Sequence, residues 1–131
     1  MQRILVIDDE PFVLEALKRV LTPAAAVAVA ATADAGLAAM SESPVDLVII
    51  DVILPGTDGV EAIKIIRRDY PAVRIIAISG GGNFGLNSYL PDAISTSAYL
   101  AACKAAGANG VLAKPFETAE LRALIDQVQA A

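Results

Sequence analysis

The sequence predicts a doubly wound α/β fold, in which a five-stranded parallel sheet is covered by helices on both faces. Short, continuous apolar runs alternate along the chain with longer stretches of helical periodicity. The apolar runs lack the polar alternation of half-exposed strands, so each predicted strand is buried on both sides. The predicted strands are residues 4–7, 27–30, 47–50, 73–78 and 110–113.

Proline, glycine and capping residues mark the ends of the predicted helices. Pro11 suits the first position of a helix, and Pro23 ends the apolar pattern that follows it. We expect Asp34 to cap a short alanine-rich helix, and Gly107 to end the fourth helix. The helical patterns lie at residues 11–21, 34–42, about 60–66, 91–106 and 121–128.

Length and composition favour one soluble domain. The chain has 131 residues, of which 56% are hydrophobic, and its mean hydropathy is +0.59, so a large fraction of it must be buried. The longest small-apolar run, residues 24–31, is far shorter than the roughly 18 residues that a membrane span requires. No basic segment followed by an apolar stretch opens the chain. We therefore expect a single cytoplasmic domain over residues 1–131, without membrane contact.

The charged and metal-binding side chains exclude several classes of function. A net charge of −5 and a pI of about 4.5 argue against nucleic acid as a direct partner, because phosphate backbones are bound by clustered lysine and arginine. The chain has no histidine, and Cys103 is its one cysteine. Zinc sites and histidine-based catalysis therefore lack their usual residues. Carboxylates, hydroxyls and lysines must carry any chemistry.

Polar side chains with complementary chemistry follow four of the predicted strands. The first strand is followed by Asp8 and Asp9, the third by Asp51, the fourth by Ser79 and the fifth by Lys114. Because ligands of open parallel sheets bind at the carboxyl ends of the strands, we expect these side chains to meet in one crevice.

Three clustered carboxylates require a cation. Two carboxylates about 4 Å apart repel by roughly 4 kcal/mol at an effective dielectric constant near 20. Oxygen ligands without sulfur or imidazole favour Mg²⁺, which also binds phosphate oxygens. Asp51 can then attack a phosphoryl group while Mg²⁺, Lys114 and Ser79 contact its oxygens. The pattern predicts a phosphoryl-transfer site.

Over essentially its whole length the sequence resembles the receiver domains of two-component response regulators, of the single-domain chemotaxis type. The matching stretches, in the family's order, are ILVIDDEP, LVIIDVILPGTDG, IIAISG and VLAKPF. The resemblance implies a flavodoxin-like (βα)5 fold with strand order 2-1-3-4-5. It also implies a phosphorelay: a histidine kinase or histidine phosphotransfer protein donates the phosphoryl group, and the changed surface binds a downstream protein.

The resemblance also assigns roles to residues at the predicted metal site. It implies that Asp51 is the phosphorylated residue, that Asp9 binds Mg²⁺ directly and that Asp8 binds it through water. The backbone carbonyl of Ile53 would complete the protein's share of the metal ligands.

Further roles concern the phosphoryl group itself. The resemblance implies that the Ser79 hydroxyl follows this group, that Gly80 leaves room for it and that Lys114 pairs with its oxygens. The bond between Lys114 and Pro115 would be a cis peptide. Such a domain catalyses its own phosphorylation and dephosphorylation, without turnover of a metabolite.

The sequence departs from the family's pattern in two places. Val111 stands where the family usually has an aromatic ring that moves inward upon phosphorylation, and the loop at about residues 80–92 is longer than usual. We hypothesise that this face is remodelled for an unusual partner or a non-standard switch.

Two other functions remain open at the level of sequence. A pseudo-receiver would keep the fold as a protein-binding module that is independent of phosphorylation. A small phosphohydrolase of the aspartyl-phosphate type would share the Asp51 nucleophile and Mg²⁺. Such enzymes usually have a second aspartate two residues after the nucleophile, where this chain has Ile53.

Overall fold

The computed structural model describes residues 2–52, 59–79, 92–114 and 116–130, without the side chains of residues 92–97 and 99. Strands and helices alternate along these ranges. They are β1 (Gln2–Ile7), α1 (Pro11–Leu21), β2 (Ala25–Ala30), α2 (Ala33–Glu42), β3 (Leu47–Asp51), α3 (Gly59–Asp69), β4 (Arg74–Ser79), α4 (Asp92–Ala106), β5 (Gly110–Ala113) and α5 (Thr118–Ala130). The loop that we expected to be enlarged, at about residues 80–92, falls almost wholly outside the described residues.

The five strands form one parallel sheet in the order β2-β1-β3-β4-β5, which confirms the predicted fold and strand order. The register aligns the carboxyl ends of the central strands. Ile7 of β1 pairs with Ile50 of β3, Asp51 pairs with Ile78 of β4, and Ser79 pairs with Ala113 of β5. The residues that follow these pairs therefore meet along one edge of the sheet.

Alternate side chains of each strand enter hydrophobic clusters on opposite faces of the sheet. Leu5 and Ile7 of β1 pack on the face covered by α2, α3 and α4, whereas Ile4 and Val6 pack on the face covered by α1 and α5. All four are at most 2% exposed. Burial on both faces explains why the strands appear in the sequence as continuous apolar runs.

Several predicted boundaries differ from the structure by up to three residues; β1, for example, begins at Gln2 and not at Ile4. The β2 strand begins at Ala25, two residues before the expected start, and Thr32 rather than Asp34 caps α2. The Thr32 side chain accepts a hydrogen bond from the Ala35 amide at 3.0 Å. Thr32 has the extended backbone that an N-cap requires, with φ −137° and ψ 160°, whereas Asp34 already lies in the first helical turn.

At the edge of the sheet opposite the carboxyl ends, Arg67 ties α3 to the turn before β5. Its guanidinium donates hydrogen bonds to the carbonyl oxygens of Pro71, Val73 and Gly107 and to Oδ1 of Asn109, at 2.8–3.2 Å. Gly107 has a φ of 128°, which places it in the left-handed region and confirms it as the residue that ends α4.

Within the ranges that the structure describes, no helix combines the length and the apolar character needed to cross a bilayer.

Gly59 is expected to be the less replaceable of two buried helix glycines. A Cβ at Gly59 would lie 2.3 Å from Cα of Val52, which is backbone, whereas a Cβ at Gly36 would lie 2.4 Å from the terminal methyl of Ile7. Gly59→Ala should lower the free energy of unfolding by about 2 kcal/mol through overpacking. Gly36→Ala should cost less, because the Ile7 methyl can move and alanine is the better helix former. Urea unfolding of both variants tests this order, and an equal cost would contradict it.

Candidate functional site

Asp8 lies immediately after β1 and is held from two sides. Its amide donates to the Ala30 carbonyl at 3.0 Å, which extends the pairing with β2 by one residue. Its Oδ1 accepts a hydrogen bond from the Glu10 amide at 2.9 Å, at the start of α1. Asp8 is 1% exposed, so a carboxylate is fixed in a buried position by the backbone on both sides of it.

Asp51 and Asp9 complete an acidic cluster with Asp8. Asp51 is the last residue of β3 and is 4% exposed, whereas Asp9 is exposed at the rim. One carboxylate oxygen from each of the three lies within 4.8 Å of the other two. The sequence prediction that these acidic side chains converge is therefore correct in geometry.

Lys114 brings a positive charge to this cluster from the end of β5. Its Nζ donates to Oδ2 of Asp8 at 3.0 Å, to Oδ2 of Asp51 at 3.1 Å and to Oε1 of Glu10 at 3.1 Å. The Lys114 side chain is 15% exposed, and those of Asp8 and Asp51 are 2% and 5% exposed. All three are charge-assisted hydrogen bonds, and those to Asp8 and Asp51 are largely shielded from water.

The pKa of Lys114 results from two opposing effects. Burial lowers the pKa, because it removes water from the ammonium, but the negative charges and hydrogen bonds of Asp51 and Asp8 raise it by more. The pKa of Lys114 is consequently well above its ordinary value of 10.5. The side chain remains a cation at any pH near neutrality.

Ser79 occupies the strand end between those that carry Asp51 and Lys114. It is the last residue of β4 and is 1% exposed. Its carbonyl accepts a hydrogen bond from the Lys114 amide at 2.8 Å, so the backbones of the two residues lie side by side.

The structure thus brings together Asp8, Asp9, Asp51 and Lys114, with Ser79 at the adjacent strand end. Their individual roles in catalysis and metal binding stay predictions. The predictions for Ile53, Gly80 and Pro115, which include the metal-binding carbonyl and the cis peptide, concern positions outside the described residues.

Sequence reasoning missed Glu10 as a member of the site. The residue follows the acidic pair directly, but its contact with Lys114 joins positions 104 residues apart. The signal available in the sequence was a third consecutive acidic residue at a strand end that faces a predicted lysine.

Val111 is half-buried in β5 and packs against the cluster on the α2, α3 and α4 face. As a β-branched residue it has a restricted χ1 angle, and it carries no aromatic ring. This position therefore offers no ring that could move.

The donor set fits a divalent cation of the Mg²⁺ type. The three clustered ligands are carboxylates, of which two are buried, and the cluster contains neither sulfur nor imidazole. Lys114 supplies one positive charge against the carboxylates of Asp8, Asp51 and Glu10 that it contacts. The remaining negative charge is what a cation would neutralise.

Comparison with protein families and solved structures gives a consistent result. The family model of the response regulator receiver domain matches residues 4–126. A two-component response regulator of the LuxR family from Aurantimonas sp. SI85-9A1 is 32% identical with a TM-score of 0.80, over 98% of this chain and 84% of that chain. A response regulator receiver domain protein from Clostridium thermocellum is 25% identical with a TM-score of 0.79, over 98% and 94%.

Curated relatives match over a part of their length. The transcriptional regulatory protein YvrH of Bacillus subtilis is 32% identical over 124 residues, which cover 93% of this chain and 46% of YvrH. The probable C4-dicarboxylate response regulator DctR of the same organism is 36% identical over 80 residues, covering 59% and 35%. The chain therefore spans less than half the length of these two relatives.

Replacing Lys114 tests how far the buried carboxylates depend on its charge. Without Mg²⁺, Lys114→Met should lower the free energy of unfolding by about 3 kcal/mol, because Asp8 and Asp51 lose their buried cation. The folded-state pKa of Lys114 lies above 10.5, so its contribution is complete below about pH 10.5 and is lost as the pH rises through the folded-state value.

Urea unfolding of native chain and variant between pH 7 and 11 measures this difference. It should stay constant up to about pH 10 and shrink above it. Lys64→Met, at an exposed position of α3, is the matched control and should change stability by less than about 0.5 kcal/mol. Similar losses in the two variants would refute the special position of Lys114.

Proposed function

This chain belongs to the response regulator receiver domain family, the phosphoacceptor domains of two-component systems, and from that premise we propose that Asp51 accepts the phosphoryl group in a Mg²⁺-dependent phosphorelay. One observation carries the assignment of the residue. Asp51 is the member of the acidic cluster that ends a central strand and also accepts a hydrogen bond from Lys114. A nucleophile at this position lies next to the Lys114 ammonium, which can compensate the negative charge of the incoming phosphoryl group.

The chemistry follows from the positions of the side chains. A carboxylate oxygen of Asp51 attacks the phosphorus of the donor, the bond from phosphorus to the donor's leaving group breaks, and an acyl phosphate forms on Asp51. The Lys114 ammonium compensates the negative charge of the phosphoryl oxygens, and the Ser79 hydroxyl donates to one of them. Later attack by water returns the free carboxylate and inorganic phosphate.

We assign the metal to the same cluster. Asp9 would bind Mg²⁺ directly, Asp8 through water, and Asp51 together with the Ile53 carbonyl would supply the other protein ligands. When bound, Mg²⁺ supplies charge neutralisation for the transferred phosphoryl group. The two buried carboxylates that would hold the ion, those of Asp8 and Asp51, are positioned by backbone pairing and by Lys114.

The partners that we propose are proteins. Receiver domains interact with histidine kinases or histidine phosphotransfer proteins, and one of these would donate the phosphoryl group. An apolar groove of about 550 Å³ between α1 and α5 supports a protein donor, because it opens beside Lys114 and has Phe12, 89% exposed, at its edge. The net charge of −5 continues to disfavour nucleic acid.

We propose a cytoplasmic protein that signals through contact with another protein and turns over no metabolite. That it acts without an attached output domain stays a prediction, since YvrH and DctR are more than twice as long as the parts that match. The mass of the protein isolated from its native cell tests this.

Intact-mass measurement after incubation with acetyl phosphate and Mg²⁺ tests the phosphorylation of Asp51. The native chain should gain the mass of one phosphoryl group, and Asp51→Asn should gain none. Asp34→Asn, which removes an exposed carboxylate of α2, is the matched control and should be modified like the native chain. A native chain that remains unmodified would favour the pseudo-receiver function instead.

The metal requirement is tested separately by titration with Mg²⁺ alone. Binding should raise the melting temperature, because the ion stabilises the folded state by mass action. Asp9→Asn should weaken Mg²⁺ binding by at least about tenfold, since loss of a metal ligand costs no less than loss of a supporting residue. Calorimetric titration gives the affinity, and Asp34→Asn should match the native chain. Equal Mg²⁺ affinities of Asp9→Asn and the native chain would show that Asp9 is not a metal ligand.

A further inference from the structure

We propose that Glu10 is a positioning residue that holds the Lys114 ammonium in the unphosphorylated state and competes for it with the phosphoryl oxygens. The inference rests on the proposed function of Asp51. Oε1 of Glu10 lies 3.1 Å from Nζ of Lys114, the same distance as Oδ2 of Asp51. The ammonium that is expected to pair with the phosphoryl oxygens is therefore already shared with a carboxylate outside the acidic cluster.

The backbone of Glu10 is held by hydrogen bonds, and its side chain contacts Lys114. Its amide donates to Asp8, and its carbonyl accepts the amides of Val13 and Leu14 in the first turn of α1. It occupies the N-cap position of this helix, yet its side chain makes no capping hydrogen bond. Substitution of the side chain therefore removes the contact with Lys114 without removing a helix cap.

Exposure distinguishes Glu10 from the other two partners of Lys114. The Glu10 side chain is 55% exposed, whereas the side chains of Asp8 and Asp51 are 2% and 5% exposed. An exposed carboxylate regains water when it is released, so the contact with Glu10 is the one that Lys114 can exchange at low cost. The buried carboxylates lack that alternative.

Charge gives the direction of the effect. A phosphoryl group on Asp51 brings additional negative charge to the pocket. The ammonium of Lys114, which would compensate this charge, is also bound by Glu10. The carboxylate of Glu10 thus opposes the phosphorylated arrangement twice, by binding Lys114 and by repelling the phosphoryl oxygens. Removal of its charge should therefore favour the phosphorylated arrangement. The gain in affinity for a phosphoryl analogue, relative to the native chain, measures the contribution of Glu10.

Beryllofluoride, which binds aspartate as an analogue of the phosphoryl group, tests the inference in the whole chain. At saturating Mg²⁺, Glu10→Gln should bind it about threefold more tightly than the native chain, the change expected for loss of one exposed ion pair. Glu15→Gln makes the same change of net charge at an exposed position of α1 and should bind like the native chain. Titration followed by heteronuclear NMR gives both affinities.

Titration with Mg²⁺ alone tests whether Glu10 has a direct metal role. Glu10→Gln should change the Mg²⁺ affinity by less than about twofold, because Glu10 contacts Lys114 and is not one of the clustered ligands. A larger loss would make Glu10 a metal ligand and overturn the positioning role.

The remaining outcomes separate this inference from the proposed function. If the native chain binds beryllofluoride and Glu10→Gln binds it equally or more weakly, the role of Glu10 falls while the function of Asp51 stands. If the native chain itself does not bind the analogue, the proposed function falls and the role of Glu10 falls with it.

Discussion

Two carboxylates, those of Asp8 and Asp51, are buried at the carboxyl edge of the sheet, and the ammonium of Lys114 lies between them. Buried charges of like sign are costly, so this contact constrains the rest of the structure. β5 must pair with β4 in the register that sets Ala113 against Ser79, because Lys114 follows directly. The residue that follows β5 thus supplies the counter-charge for Asp8, which follows β1, and for Asp51, which ends β3.

The hydrophobic core aligns the charged residues because it fixes the register of the strands and therefore the position at which each strand ends. Leu5 and Val48 are fully buried on one face of the sheet, and Leu47 is fully buried on the other. Because successive side chains of a strand enter opposite clusters, a shift of one residue would place each on the wrong face. The same shift would withdraw Asp8 or Asp51 from the site, so the packing that stabilises the fold also aligns the charged groups.

Periodicity predicted the strands, the helices and four strand-end positions, because burial on both faces leaves continuous apolar runs. The strand order came from family resemblance, since periodicity carries no information on neighbours. The start of β2 was missed because Ala25 and Ala26 contribute little apolar signal. Thr32 and Asp34 are both good capping residues. Which of them caps α2 depends on where the backbone changes from extended to helical after β2. The contact of Glu10 with Lys114 depends on tertiary structure alone.

The hydrogen bonds of Arg67 lie at the sheet edge opposite Asp51 and share no residue with the site. Free-energy changes at well-separated positions without common partners are close to additive. The planar guanidinium binds several carbonyls at once, an arrangement that lysine cannot reproduce. Substitutions around Arg67 can therefore change the thermal stability of this domain without changing the side chains that surround Lys114.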